Sequence, residues 1–136
     1  MFRTTPSTTP ILVAAFNGSV FGLHARTGRR IWRYAGMGHT IRLAVHQERI
    51  IALGDHLACL DEATGTLLWR NEVPHTLIWG TLLVHGDLIV AADAGEVGVY
   101  DAGDGKQLWH ERFKGEGVSV VAVAFGGKAV QGDRAS

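Results

Sequence analysis

Any chemistry in this 136-residue chain has to come from seven histidines, one cysteine and a few placed carboxylates. The histidines are His24, His39, His46, His56, His75, His85 and His110. None forms an HxH pair or an i, i+4 pair of the kind that gathers a metal from one element. His46 and His85 each follow a valine at the end of a predicted strand, so they hold equivalent places. Repeated around a rim they would make a metal or anion site; singly they read as polar turn residues, the default. Cys59 lies in the apolar run "HLACLDE", where a thiol is a small buried hydrophobe rather than a nucleophile. Ser19 and Ser119 fall in ordinary strand positions, with no neighbouring His and Asp to activate them. "GGK" at 126–128 is a hairpin, since no helix follows to make a phosphate loop. Arg29, Arg30 and Arg33 make a small basic spot, read as solvated decoration with a docking patch as the alternative. The residues therefore predict no catalytic residue, no cofactor and no metal site.

One aromatic position stands apart. Trp79, in "PHTLIWGTL", falls near the start of a predicted strand and outside any repeated pattern. With His39, Arg42 and His75 it forms the candidate partner-binding face, because an exposed aromatic beside polar groups is a recognition anchor. The competing reading is that Trp79 fills core.

Positioning these residues depends on the elements, and the chain repeats itself. "ARTGRRIW" (25–32), "EATGTLLW" (62–69) and "AGDGKQLW" (102–109) share a turn ending in Gly, three residues, then Trp. Gly28, Gly65 and Gly105 precede Trp32, Trp69 and Trp109 by four residues each, and the tryptophans are 37 and 40 residues apart. Upstream of each Gly runs an alternating segment, and before that a continuous apolar one. Asn17-Gly18, Gly54-Asp55, Gly86-Asp87 and Ala94-Gly95 are two-residue hairpin signals. No 3.6-residue period is sustained. In the middle unit four strands fit, at "TIRLAVHQ", "RIIALGD", "HLACLDEA" and "TLLWRNE". Four antiparallel strands on a period near 40 residues mark an all-β fold, the β-propeller.

The pattern of a hydrophobic pair, Asp, Thr-Gly and Trp, best seen at Leu60-Asp61, Thr64-Gly65 and Trp69, resembles the blade motif of PQQ-like (quinoprotein alcohol dehydrogenase-like) repeats. Tyr100-Asp101, Asp104-Gly105 and Trp109 follow it, while His24 replaces the Asp of the first unit. The resemblance implies a propeller, found both in pyrroloquinoline quinone enzymes and in non-catalytic assembly and sensor proteins. It implies that each motif Trp docks beside the turn Gly of a neighbouring blade. A quinone site of this family would need a calcium-binding acidic cluster, a catalytic Asp, a stacking Trp and often adjacent cysteines. The chain offers one Cys and no such cluster on its inner strands.

The strand count leaves a mismatch. Residues 39–73 and 76–113 read as full blades, whereas 11–35 lacks an inner strand and 117–133 supplies an inner strand followed by a weak second one. Residues 1–10 read as a flexible segment, and 11–136 as a partial propeller of about three blades. Closed rings have roughly four to eight blades, and an open arc would expose the apolar edge of "VSVVAVAF". The expected solution is ring closure by oligomerisation, six blades as a homodimer, or another propeller-contributing chain; the third alternative is that the chain is a cut fragment of a longer propeller.

Composition narrows the rest. Lys plus Arg and Asp plus Glu are 13 each and net charge is zero, so no nucleic-acid footprint is present. No apolar run nears a membrane span, "ILVAAF" is too short for a signal peptide, and one cysteine closes no intramolecular disulfide. The expectation is a cytoplasmic, non-catalytic scaffold that binds itself and a protein or peptide, with a quinoprotein-type oxidoreductase or a ligand-sensing subunit as the alternative.

Overall fold

The computed structural model describes residues 10–38, 40–73, 80–117 and 121–126. These residues form eleven strands in three antiparallel sheets. The first sheet contains β1 (Ile11–Phe16), β2 (Ser19–His24) and β3 (Arg30–Ala35). The second contains β4 (Arg42–His46), β5 (Arg49–Leu53), β6 (Leu57–Asp61) and β7 (Leu67–Asn71). The third contains β8 (Thr81–His85), β9 (Leu88–Asp93), β10 (Glu96–Asp101) and β11 (Gln107–Glu111). In every sheet spatial order follows chain order, as in an up-and-down blade. The four strands read in the middle unit are β4 to β7, and among the described residues the first sheet has three strands, β1 at its edge.

Turn chemistry sets the hairpins. Asn17 and Gly18 have φ of 52° and 82°, and Ala94 and Gly95 have 52° and 78°. Two successive left-handed residues match the right-handed twist of the strands they join. Gln47, with φ of 59°, opens a two-residue turn between β4 and β5 that its side chain does not advertise. Gly54-Asp55 departs from expectation: β5 and β6 are joined by three residues, Gly54, Asp55 and His56. The reason lies in the preceding sheet. Met37 is fully buried, its N–H donates to Gly18 O at 2.9 Å, and its carbonyl accepts from Asp55 N at 2.7 Å. The loop is shaped by this link between sheets, not by local preference.

Side chains alternate between the two faces of each sheet, and the sheets stack through them. Ile50, Ala52, Ala58 and Leu60 pack toward the first sheet, against Val20, Trp32 and Met37. Ile51, Leu53, Leu57 and Cys59 pack toward the third, against Ile89, Ala91, Tyr100 and Ala102. With both faces covered, β5 and β6 read as continuous apolar runs. At the boundary of the second and third sheets, β4 and β8 adjoin.

A third cluster lies on the far face of the last sheet. Val90, Ala92, Val97 and Val99 are covered by Val121, Val123 and Phe125. Residues 121–126 alternate between half-buried and exposed. Thr81 Oγ1 donates to Val121 O at 3.4 Å, and the His85 ring stacks on Phe125 at 4.7 Å. The segment thus flanks β8, although it is not hydrogen-bonded into a sheet among the described residues. The expected flexible segment at 1–10 falls outside them, apart from Pro10, whose carbonyl accepts from Ala25 N.

Candidate functional site

The repeated Gly and Trp residues form joints between sheets. In each unit the turn Gly is left-handed, at φ of 76° for Gly28, 74° for Gly65 and 78° for Gly105. Its N–H donates to the carbonyl of the residue closing the preceding strand: His24 at 2.8 Å, Asp61 at 2.8 Å and Asp101 at 2.7 Å. The side chain at that closing position caps the turn. Asp61 Oδ2 accepts from Thr64 N at 3.0 Å and Thr64 Oγ1 at 2.9 Å, and Asp101 Oδ1 accepts from Gly103 N at 2.6 Å. His24 does the same work with a nitrogen, its Nδ1 accepting from Arg26 N at 3.3 Å. The departure from the motif in the first unit preserves its hydrogen bond.

The turns at Gly65 and Gly105 each present a flat glycine surface, and the indole of the preceding blade lies on it. A Cβ on Gly65 would sit 2.5 Å from Cδ2 of Trp32, and one on Gly105 2.5 Å from Cζ3 of Trp69. Trp32 Nε1–H donates to Glu62 O at 2.8 Å, and Trp69 Nε1–H to Ala102 O at 3.2 Å. Both acceptors lie three residues before the turn Gly, so the two joints are copies. A Trp burying roughly 150–250 Å² contributes about 4–6 kcal/mol before entropy.

The same motif at the two ends is unused. Trp32 is 8% exposed, but Trp109 is 52% exposed. Nothing lies within 4 Å of a Cβ built on Gly28.

Of the candidate partner-binding face, Arg42 is described: it opens β4, and its Nε donates to the Gly80 carbonyl at 3.1 Å, tying the second sheet to the third. His39, His75 and Trp79 lie outside the described residues, as do Ser119 and Gly127 of the "GGK" turn. The other histidines serve contacts. His46 Nε2 is 3.9 Å from Asp87 Oδ1, and His110 Nε2 approaches Glu96 Oε1 at 2.6 Å, too obliquely for a hydrogen bond. His46 and His85 end β4 and β8 and each meets the following unit, so their equivalence is structural. His56, which nothing in the sequence set apart, is buried and shares a 3.2 Å hydrogen bond with Tyr34 Oη. Burial first, then the Arg70 charge, holds its pKa below the ordinary 6.5.

Burial raises the Cys59 thiol above its ordinary value, and the residue is wholly enclosed. Burial, reinforced by Glu96, pushes the Tyr100 phenol up to about 12. Neither group is poised for catalysis near neutral pH. The motif carboxylates do not fit a calcium–quinone site either, because Asp61 and Asp101 are engaged by turn backbone. Among the described residues no three His, Cys, Asp or Glu side chains converge on a metal-sized point, and no helix is long and apolar enough to cross a membrane.

Stacked antiparallel sheets of three and four strands, joined by Trp-on-Gly contacts, define the class: blades of a PQQ-like β-propeller. Within it, the family model for outer membrane protein assembly factor BamB matches residues 14–135, and the chain belongs to that family. BamB of Escherichia coli K12 is 26% identical over 130 residues, covering 89% of this chain and 33% of BamB. Tetrathionate hydrolase of Acidithiobacillus ferrooxidans is 26% identical over 137 residues, covering 85% of this chain and 27% of the hydrolase. The chain therefore spans about a third or less of these relatives. In fold it is similar to the computationally designed Ika8 protein (TM-score 0.68, 18% identity, 88% of this chain and 38% of Ika8). It is also similar to the quinohemoprotein alcohol dehydrogenase of Comamonas testosteroni (TM-score 0.59, 21% identity, 76% of this chain and 19% of the enzyme).

Proposed function

We propose that the chain is a non-catalytic propeller module that presents a rigid blade surface to a protein partner, within a ring to which more than one chain contributes. The observation that carries this reading is where the repeated polar residues go. The polar atoms of Asp61, Asp101, Thr64, Trp32 and Trp69 are consumed by turns and joints. What is left outward is a stiff scaffold. Membership in a family described as an assembly factor supports the same direction. The face opened by Arg42, with His39 three residues before it and His75 and Trp79 just ahead of its partner Gly80 in sequence, is the proposed recognition surface, and the cytoplasm the proposed compartment, which cell fractionation tests.

Two assays test it. Purified chain given pyrroloquinoline quinone and Ca²⁺ is expected to give no dye-linked alcohol oxidation; turnover would replace the scaffold with a quinoprotein oxidoreductase. Cross-linking in the native host is expected to capture one protein reproducibly, and Arg42→Glu to abolish that capture. Capture that survives Arg42→Glu together with Trp79→Ala would remove the proposed face.

A further inference from the structure

The two ends of the arc carry complementary halves of the contacts that join its interior. At one end, the sheet of β1, β2 and β3 has no inner strand among the described residues. Beside β1 is a slot of about 260 Å³, bounded by Ile11 and Val13 on one side and by Leu43, Ala44 and Val45 of the next blade on the other. The turn Gly28 of this sheet carries no indole. Its outer face is mostly apolar, with Leu12 and Phe16 exposed and a groove lined by Ala14, Phe16, Phe21, Leu23 and Arg30, whose guanidinium lies over the Phe21 ring. At the other end, residues 121–126 form a strand-like segment not paired within the described residues, and Trp109 is exposed.

We propose that these ends join between two copies of this chain: residues 121–126 of one copy fill the slot beside β1 of the other, and Trp109 seats on Gly28 of the other. The interior fixes the geometry. Trp32 and Trp69 each dock on the Gly of the following blade and donate to the carbonyl three residues before it. The matching acceptor before Gly28 is Ala25 O.

Strand register follows in the same way. Ile11 pairs with His24 as Leu88 pairs with Asp101 and Arg49 with Asp61, so Ile11, Leu88 and Arg49 are equivalent. His46 pairs with Arg49, and His85 with Leu88. Phe125 lies level with His85, on which it stacks, and Val121 level with Thr81. Val121, Val123 and Phe125 face the preceding blade, as Leu82 and Val84 do in β8, so on β1 of the other copy they fall on the face of Leu12 and Ala14, the equivalents of Ile50 and Ala52. In that place the segment would contact β8 of its own copy and β4 of the other, as β8 contacts β4 within the chain.

The occupant is a second copy because both halves of the missing joint are encoded in the same chain. A two-fold pairing uses each half twice and leaves only the short, protected edges of a propeller. The inference rests on the reading of a ring built from more than one chain, but not on what that ring binds.

The test is solution mass. Sedimentation of the purified full chain is expected to give twice 14.7 kDa. Trp109→Ala and Gly28→Val are each expected to weaken dimerisation on the order of tenfold or more, as truncation of a central aromatic anchor does. Circular dichroism checks that each variant remains folded. If one does not fold, a disulfide supplies the second measurement. Val123→Cys combined with either Leu12→Cys or Ala14→Cys, in a Cys59→Ala background, is expected to give a reducible band of two chains with one of the two partners. A monomer at high concentration, a dimer indifferent to both substitutions, or a disulfide formed within one chain overturns the proposal. A dimer without a captured partner leaves the joint standing and removes the scaffold reading; a monomer that retains its partner does the reverse.

Discussion

The central blade, β4 to β7, and the N-terminal sheet, β1 to β3, are built from the same pattern and end in different environments. Ile50, Ile51, Ala52 and Leu53 of β5 are all buried, while in the equivalent β1 Leu12 is 56% and Phe16 65% exposed. The difference is not one of hydrophobicity, since "ILVAAF" is as apolar as "RIIALG". A blade buries what its neighbours cover, and β1 has a neighbour on one face only. The tryptophans repeat the lesson: Trp69 is partly buried against Gly105, and Trp109, in the same motif, is exposed. In a propeller the motif specifies a half-joint, and its energy is realised only when the adjoining blade is present.

Substitution at the joints should break this contrast most sharply. Trp69→Ala is expected to cost about 3–5 kcal/mol in urea unfolding, as large-to-small aromatic truncations in cores do. Trp109→Ala, measured at concentrations too low for chains to associate, is expected to stay within roughly 0.5–1 kcal/mol. Equal losses at the two sites would mean that Trp109 is already seated within its own chain.

Next come the glycines. Gly65→Ala places a methyl group into the Trp32 indole at a left-handed backbone and is expected to cost roughly 3 kcal/mol or more. Gly28→Ala has the same φ penalty, about 1–2 kcal/mol, and no indole to displace in the single chain. Raising the protein concentration should bring the two costs together if a second copy supplies that indole.

A pH series probes the contact between the first and second sheets. The folded state holds His56 with a lowered pKa, so it resists protonation that the unfolded chain accepts. Stability is therefore whole above 6.5 and declines as pH falls from there toward the lower folded value. The midpoint of thermal unfolding is expected to drop over that window, and His56→Gln to remove this part of the decline. A variant that retains the full slope would assign it to other groups.

The smallest expected effect concerns the caps. Asp61→Ala removes two hydrogen bonds to Thr64 and should cost about 0.5–1.5 kcal/mol. His24→Asp restores the oxygen acceptor of the other units and should change stability by about 0.5 kcal/mol at most, in the stabilising direction. A loss there would show that the imidazole has a contact the carboxylate cannot replace.

Much of this architecture was legible along the chain because each blade is local. Alternation, the Asn17-Gly18 and Ala94-Gly95 turns, and the Gly–Trp spacing act within about ten residues of each other. The misread turn was the one governed from a distance: Gly54-Asp55 opens a three-residue loop because Met37, from the link between blades, bonds to Asp55 N. His56 escaped notice for the same reason, since its partner Tyr34 belongs to another sheet. Arg42, singled out as a recognition residue, has its Nε bonded to Gly80 of the following blade.

The sequence by itself determined the all-β blades, their turns, and the wedge residues Trp32, Trp69 and Trp109, because strand alternation and turn chemistry are short-range. Tertiary structure alone decided which wedges are seated and which glycines are covered. Whether Trp109 is a core residue or a free surface depends on a blade beyond its own sheet, and no local pattern can encode the presence of that neighbour.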